Sequence, residues 1–299
     1  RGFEAEVSYN KSINKDFGFN VAFNMSAIKN KMTELDGDVS YIGLPTSVIH
    51  SLNFDQEVSR SAIGQPIGSF YAYKEDGLFQ SEAEIKSYTN NKGELLQPNA
   101  KPGDIKFVDV NGDGVIDGND RDYIGNPLPD VTAGLTLGVN FHNFDLSLFF
   151  QGMFGNDVYD LTRYVGDFYN QSQYNKNSRV VNAWTPTNTN TDIPRVTMDD
   201  PNNNIRPSSY YVQDASFVRL KNMKIGYSVP QSILSKIKFN SLYIYAQATN
   251  LFTITGYDGI DPEVGLQSYS SDYRNLDMGV DRGIYPLSRT FTFGVNVSF

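Results

Sequence analysis

Seven stretches of this chain alternate apolar and polar residues, and the segments joining them are alternately short and long, a combination that leaves few folds open. Phe3, Ala5, Val7 and Tyr9 alternate with Gly2, Glu4, Glu6 and Ser8. After the short polar link Lys11 to Asp16, Phe17, Phe19, Val21, Phe23 and Met25 alternate with Gly18, Asn20, Ala22 and Asn24. A period of two puts each set on one face of a strand. The same holds for Val131, Ala133, Leu135, Leu137, Val139 and Phe141, and for Phe144, Leu146, Leu148 and Phe150 after a His142-Asn143 turn. It returns in Leu242, Ile244, Ala246 and Ala248, and in Phe291, Phe293, Val295, Val297 and Phe299. Between 216 and 228 the parity changes from Val218 and Leu220 to Met223, Ile225 and Tyr227, which predicts a β-bulge near Lys221-Asn222.

Strands are therefore expected near 3–9, 17–25, 131–141, 143–151, 216–228, 240–250 and 288–299. Short turns at one end and long connections at the other are the pattern of outer-membrane barrels, whose periplasmic turns are short and external loops long. The fold class read from this is all-β, an antiparallel transmembrane β-barrel. If the last strand runs inward, Phe299 ends in the periplasm and every long connection, including the insert 26–130, lies outside the cell. Leu135, Leu137, Val139, Leu146 and Leu148 then face lipid, while Thr136, Gly138, Asn140 and Asp145 face the lumen.

Composition agrees. The 299 residues include 20 Phe and 19 Tyr with one Trp, yet mean hydropathy is −0.40, so apolar residues are gathered on particular faces. No apolar run reaches the roughly 18 residues of a membrane-crossing helix. Cysteine is absent and the formal net charge is −9, which excludes thiolate chemistry and disfavours nucleic acid as a partner. The chain opens at Arg1 directly into an alternating strand, without an initiator Met or signal segment, and so reads as part of a longer protein.

Several ordered segments resemble SusC/RagA-type TonB-dependent outer-membrane transporters. They are Gly64-Gln65-Pro66-Ile67-Gly68-Ser69-Phe70-Tyr71, Asp76-Gly77-Leu78-Phe79, Gly103-Asp104-Ile105-Lys106-Phe107 and Asp109 to Asp120. Downstream come Ala183-Trp184-Thr185-Pro186, Asp214 to Asn222, Thr249-Asn250-Leu251-Phe252, Gly259-Ile260-Asp261-Pro262-Glu263 and Tyr285-Pro286 through Phe299. The resemblance covers nearly the whole chain. It implies the C-terminal part of a 22-stranded barrel, with an N-terminal plug and TonB box that this sequence does not contain. It also implies import of oligosaccharides or peptides with a SusD-like surface lipoprotein. Phe293, Val295, Val297 and Phe299 resemble the terminal signal read by the barrel-assembly machinery, and read equally as a lipid-facing strand end.

One motif suggests a cation. Asp109, Asn111, Asp113, Gly114, Val115, Asp117 and Asp120 fit a calcium-loop template, with oxygen ligands converging and Gly114 making the sharp turn. Asp120 stands where an EF-hand has Glu, which shortens the last carboxylate and makes the loop dockerin-like. The residues read either as a calcium site or as an Asx-rich turn kept for its shape, and in both readings the loop is structural.

Catalytic constellations are missing. His50 and His142 are too few and isolated for a triad or a His-metal site, and no carboxylate pair has a spacing that singles out a glycosidase acid and base. Tyr169 to Asn175 and Tyr210-Tyr211 are candidates for stacking on sugars. Two other classes compete with the transporter: a secreted calcium-binding β-sandwich for adhesion or carbohydrate binding, and a glycan-cleaving enzyme. An odd strand count with two open edges counts against the first, and the missing constellation against the second.

Overall fold

The computed structural model describes residues 1–44, 56–169, 175–266 and 276–299. Seven long strands form one antiparallel meander in chain order: β1 (Gly2–Ser12), β2 (Phe17–Ile28), β3 (Val131–Phe141), β4 (Phe144–Phe154), β5 (Phe217–Ser228), β6 (Ser241–Thr249) and β7 (Thr290–Ser298). Each expected strand is present, three of them longer than the alternation alone suggested. An eighth, short strand, Thr253–Thr255, pairs with the start of β5. It resumes the line of β6 beyond Asn250, whose φ of 50° breaks the strand.

The expected bulge is also present. Phe149 pairs with Asn222 and Phe150 with Leu220, so Lys221 is the extra residue, and the parity change in β5 keeps its apolar residues on one face.

At the short-turn end the three turns are stitched together. Ile13 and Asn14 donate their amides to the Phe17 carbonyl, closing the first turn. His142, at φ 52°, makes the two-residue turn of β3 and β4, and its amide reaches the Asp16 carbonyl at 2.6 Å. The Ser228 amide reaches the Asn143 carbonyl at 2.8 Å. The third turn holds a short helix, Gln231–Ile237, entered through Pro230 and ended by Lys238 in a left-handed conformation.

The sheet carries no core of its own; the buried core lies in the long connections. Phe70, Ile105, Phe107, Tyr159, Leu161 and Tyr211 are its wholly buried centre. The described residues between β2 and β3 stay out of the large sheet. They make a four-stranded sheet (Tyr41–Gly43, Ser59–Ala62, Ser69–Tyr73, Arg121–Gly125) and a hairpin (Glu75–Leu78 with Ile105–Phe107). The connection between β4 and β5 contributes Asp157–Asp160 and Val212–Asp214. The last connection adds Val280–Asp281, so three small strands bind the two connections together.

A buried polar network fixes the hairpin. The Gln97 side chain donates to Asn202 at 2.8 Å and accepts from the Phe107 amide, while Asn204 accepts from the Ile105 amide and donates to Asp104 at 2.9 Å. Arg195 pairs with the wholly buried Asp104 at 2.6 Å. Buried amides and carboxylates are costly unless partnered, so these contacts specify one docking of 97–107 on 200–206.

A β-sandwich would cover the apolar face of the large sheet with a second sheet. Here Val7, Phe291 and Phe293 on that face are 68%, 62% and 81% exposed, so among the described residues no second sheet covers them.

Candidate membrane-spanning face and loop site

Residues directly opposite one another across a ladder lie on the same face, so the registers decide what each face carries. Val7, Phe23, Leu135, Phe150 and Leu220 follow one another across β1 to β5. One row nearer the short turns, Tyr9, Val21, Leu137, Leu148, Met223, Ala248 and Phe291 cross the whole sheet. Ile225, Ala246 and Phe293 continue the row of Leu146 and Val139. Leu135, Leu137, Val139, Leu146 and Leu148 thus share one apolar face spanning all seven strands.

The face closes in a belt of rings at the short-turn end. Tyr9 meets Phe19 at 5.8 Å, Phe17 meets Phe19 and Phe141 at 6.4 Å, and Phe144 meets Tyr227 at 4.6 Å. Phe293, Val295, Val297 and Phe299 complete the edge of β7 and are all exposed.

The opposite face is polar. Thr136, Gly138, Asn140 and Asp145 lie on it, with Asn20, Lys224, Gln247 and Thr292 as cross-strand neighbours. Tyr243 and Tyr245 stack at 5.8 Å, and the Lys224 ammonium lies 5.0 and 4.9 Å from their ring centres. The Tyr243 hydroxyl donates to Asp145 at 3.0 Å. Two glycines make room: a Cβ on Gly294 would meet the Tyr245 ring at 2.2 Å and one on Gly226 the Tyr243 hydroxyl at 2.0 Å. Glycine here permits close approach of a neighbouring side chain.

The structure gathers the candidate calcium residues into one self-bonded loop. Asp109 accepts from the amides of Gly112 and Gly114 at 2.7 and 2.9 Å, Asn111 from Asp113, Asp113 from Val115, and Asp117 from Asn119. Asp120 is wholly buried and accepts from Val110 and from Asp117. Gly114 has φ 87°, as the sharp turn requires. Among the described residues no group of three or more His, Cys, Asp or Glu side chains is set around a metal position.

Two charged sites escaped the sequence analysis. Arg219, almost wholly enclosed, pairs with Asp261 at 2.6 Å and Glu263 at 2.8 Å, and donates to Thr253 at 2.7 Å; Lys221 reaches Glu263 as well. Despite the desolvation of burial, the Glu263 amide and the Arg219 guanidinium hold the Asp261 carboxyl below its usual range. The motifs containing these residues were visible, but nothing in the sequence said that they meet. Elsewhere, a cleft of about 570 Å³ lies between Glu75–Leu78 and Thr189–Asp192. Burial, with Asp192 adding repulsion, pushes the Glu75 carboxyl up to about 7.

The sugar-stacking candidates need correction. Tyr210 and Tyr211 are core residues, 3% and 0% exposed, whose hydroxyls donate to Asp167 and the Ile205 carbonyl. Rings packed on both sides have no face left for a ligand. Residues 170–174 and His50 lie outside the described residues. His142 sits in its turn with Nδ1 3.6 Å from Asp16.

Comparisons with known proteins agree with this geometry. No family model matches the chain. The whole chain aligns with "TonB-dependent receptor P3" of Formosa agariphila at 37% identity, covering 28% of that protein. It aligns with "TonB-dependent receptor SusC" of Bacteroides thetaiotaomicron at 26%, covering 26%. Over its whole length the chain is similar to a segment of these TonB-dependent receptors. Solved structures share the fold: the RagAB peptide transporter superposes with TM-score 0.72 at 23% identity over the whole chain and 29% of that structure's chain. The RagAB peptide importer in its "open-open" state gives 0.73 at 22% identity. The chain spans less than a third of the length of the curated relatives it matches.

Proposed function

We propose that this segment is one wall of an outer-membrane importer, its apolar face against lipid and its polar face lining the lumen. The observation that carries the reading is the unbroken apolar face across seven strands, ended by aromatic rings just before three hydrogen-bonded short turns. Lipid-facing and lumen-facing residues alternate in such barrels, and aromatic girdles mark their interfaces. The short turns lie in the periplasm with the end of β7, and the long connections, with their own core, lie outside the cell.

By likeness to its relatives, the whole receptor carries oligosaccharides or peptides through a 22-stranded barrel. TonB drives it through the remainder of the polypeptide, and a SusD-like lipoprotein covers the outer face. The segment contributes no catalysis. Phe293, Val295, Val297 and Phe299 serve the barrel-assembly machinery during insertion. Calcium at Asp109, Asn111, Asp113, Val115, Asp117 and Asp120 is part of the same proposal, as a structural ion. An ionised carboxylate offers about four lone-pair sites, so the oxygens of Asp109, Asp113 and Asp117, which accept one N–H each, keep capacity for a cation.

The test is topological. In the full receptor, a cysteine at Lys92 should react with a membrane-impermeant maleimide in intact cells, and one at Asn143 only after the outer membrane is opened. The reverse pattern, or equal labelling of both, overturns the reading. Uptake of labelled oligosaccharides and peptides, with and without TonB, then separates the substrate classes.

A further inference from the structure

The short-turn rim carries charge of the opposite sign to the rest of the molecule. Lys11, Lys15, Lys236 and Lys238 are exposed there, and none has an ion-pair partner among the described residues. The acidic side chains at this end are Asp16, beside His142, and Asp145, bonded to Tyr243 on the polar face. The chain as a whole is at −9, so the acid excess sits in the long connections and the lysines form a local cationic rim.

Three details place the rim. Lys11 is the last member of the column Phe3, Ala5, Val7, Tyr9, and pairs with Phe19, one of the rings of the aromatic belt. Its side chain therefore leaves the apolar face among the rings, and a lysine can lay its stem on apolar surface while its ammonium reaches the polar layer. Next, two isoleucines stand among the lysines and are half exposed: Ile13 at 52% in the first turn and Ile233 at 50% on the helix Gln231–Ile237. Apolar side chains interspersed with cations suit a headgroup region better than bulk water. Finally, the hydrogen bonds His142 to Asp16 and Ser228 to Asn143 join the turns into one continuous edge.

We infer that this rim binds anionic phospholipid headgroups of the periplasm-facing leaflet, through Lys11, Lys15, Lys236 and Lys238, and so favours one lipid class at this end of the barrel. The inference rests on the membrane-spanning reading above. Charge complementarity and continuity with the apolar face select a lipid as occupant over a protein partner.

The experiment uses the full receptor purified with its native lipid and reconstituted in nanodiscs of phosphatidylethanolamine with phosphatidylglycerol or cardiolipin. Native mass spectrometry then reads which lipids stay bound. Wild type should retain anionic over zwitterionic lipid, and the variant K11Q/K15Q/K236Q/K238Q should lose about tenfold of that preference, since each surface lysine adds to anionic-lipid attraction. A control variant K92Q/K101Q, on the opposite side, should keep it. Equal retention of the two lipid classes by wild type, or an unchanged preference in the fourfold variant, overturns the inference. Heat-modifiable migration of all three proteins on gels separates this failure from failure of the membrane-spanning reading, which would abolish the barrel itself.

Discussion

Leu137 and Thr136 are neighbours in sequence on opposite faces of β3, and the difference between those faces is the most direct residue-level consequence of the fold. Leu137 pairs with Val21 and Leu148 in the apolar face, Thr136 with Ala22 and Phe149 on the other. Arginine at a mid-membrane lipid-facing position costs about 2–4 kcal/mol and far less on the lumen side. Leu137→Arg should therefore lower folding yield into lipid vesicles strongly, and Thr136→Arg little, both read by heat-modifiability; equal losses would remove the assignment of faces. Glu75 gives a second residue-scale expectation. Its carboxyl is raised from 4.5 to about 7 by burial and Asp192, so the folded state binds the extra proton between those values and local stability falls as pH rises through that window. Hydrogen-exchange protection factors of Glu75–Leu78, corrected for the intrinsic rise of exchange with pH, should fall from pH 5 to pH 8 in wild type and stay level in Glu75→Gln. Arg219 completes the set. Removing it leaves Asp261 and Glu263 without their buried partner, a loss of about 3 kcal/mol or more, so Arg219→Met should open 253–266 to proteolysis while β1 to β4 stay protected.

Among elements, β5 shows how narrow the margin for error in a two-faced strand is. Lys221 is the unpaired residue of its bulge, and deleting it would shift Met223, Ile225 and Tyr227 onto the polar face, because a one-residue slip exchanges the faces. The Lys221 deletion should block barrel assembly although it restores a regular ladder, and a normally assembled deletion variant would show that another segment absorbs the slip. The seven strands and this bulge were legible in the sequence because period-two alternation is local and both faces are chemically distinct. The small strands of the long connections were not. Val58, Phe70, Ile105 and Tyr159 are buried through partners far away in sequence, and three-residue strands carry too few positions to show a period. Tyr210 and Tyr211 were misread for the same reason, since a polar neighbourhood such as Pro207-Ser208-Ser209 looks like loop surface until the fold closes over it. The loop at Asp109–Asp120 was legible as a motif, and its function turns on the cation. Calcium should slow proteolysis within 109–120, and Asp113→Ala should remove that response while leaving the protection due to Asp120 and its three amide partners. Unchanged proteolysis on adding calcium or chelator would leave the loop as a turn held by its own amides.

On the scale of the whole molecule, the large sheet is open. Among the described residues β1 pairs only with β2, and β7 only with β6, so two rows of backbone donors and acceptors have no neighbour. Within hydrocarbon such groups cost several kcal/mol each, which is why membrane sheets close. Single-chain bacterial barrels have an even number of strands, at least eight, and seven long strands with one apolar face and no core between sheets do not meet that condition. The core that does exist, around Phe70, Phe107, Tyr159 and Tyr211, belongs to the connections and does not cover the apolar face of the sheet. Residues 1–299 expressed alone should therefore aggregate or stay bound to chaperones. Protease resistance should be confined to the connections, and co-expression with the rest of the receptor should restore a heat-modifiable barrel in which β1 and β7 both gain neighbours. Cysteine pairs placed across each new edge would report those neighbours by disulfide formation. A soluble monomer of 1–299 that unfolds in one cooperative step would contradict the open-sheet account at its root, because it would require the exposed face of Val7, Phe291 and Phe293 to be stable in water without lipid or partner.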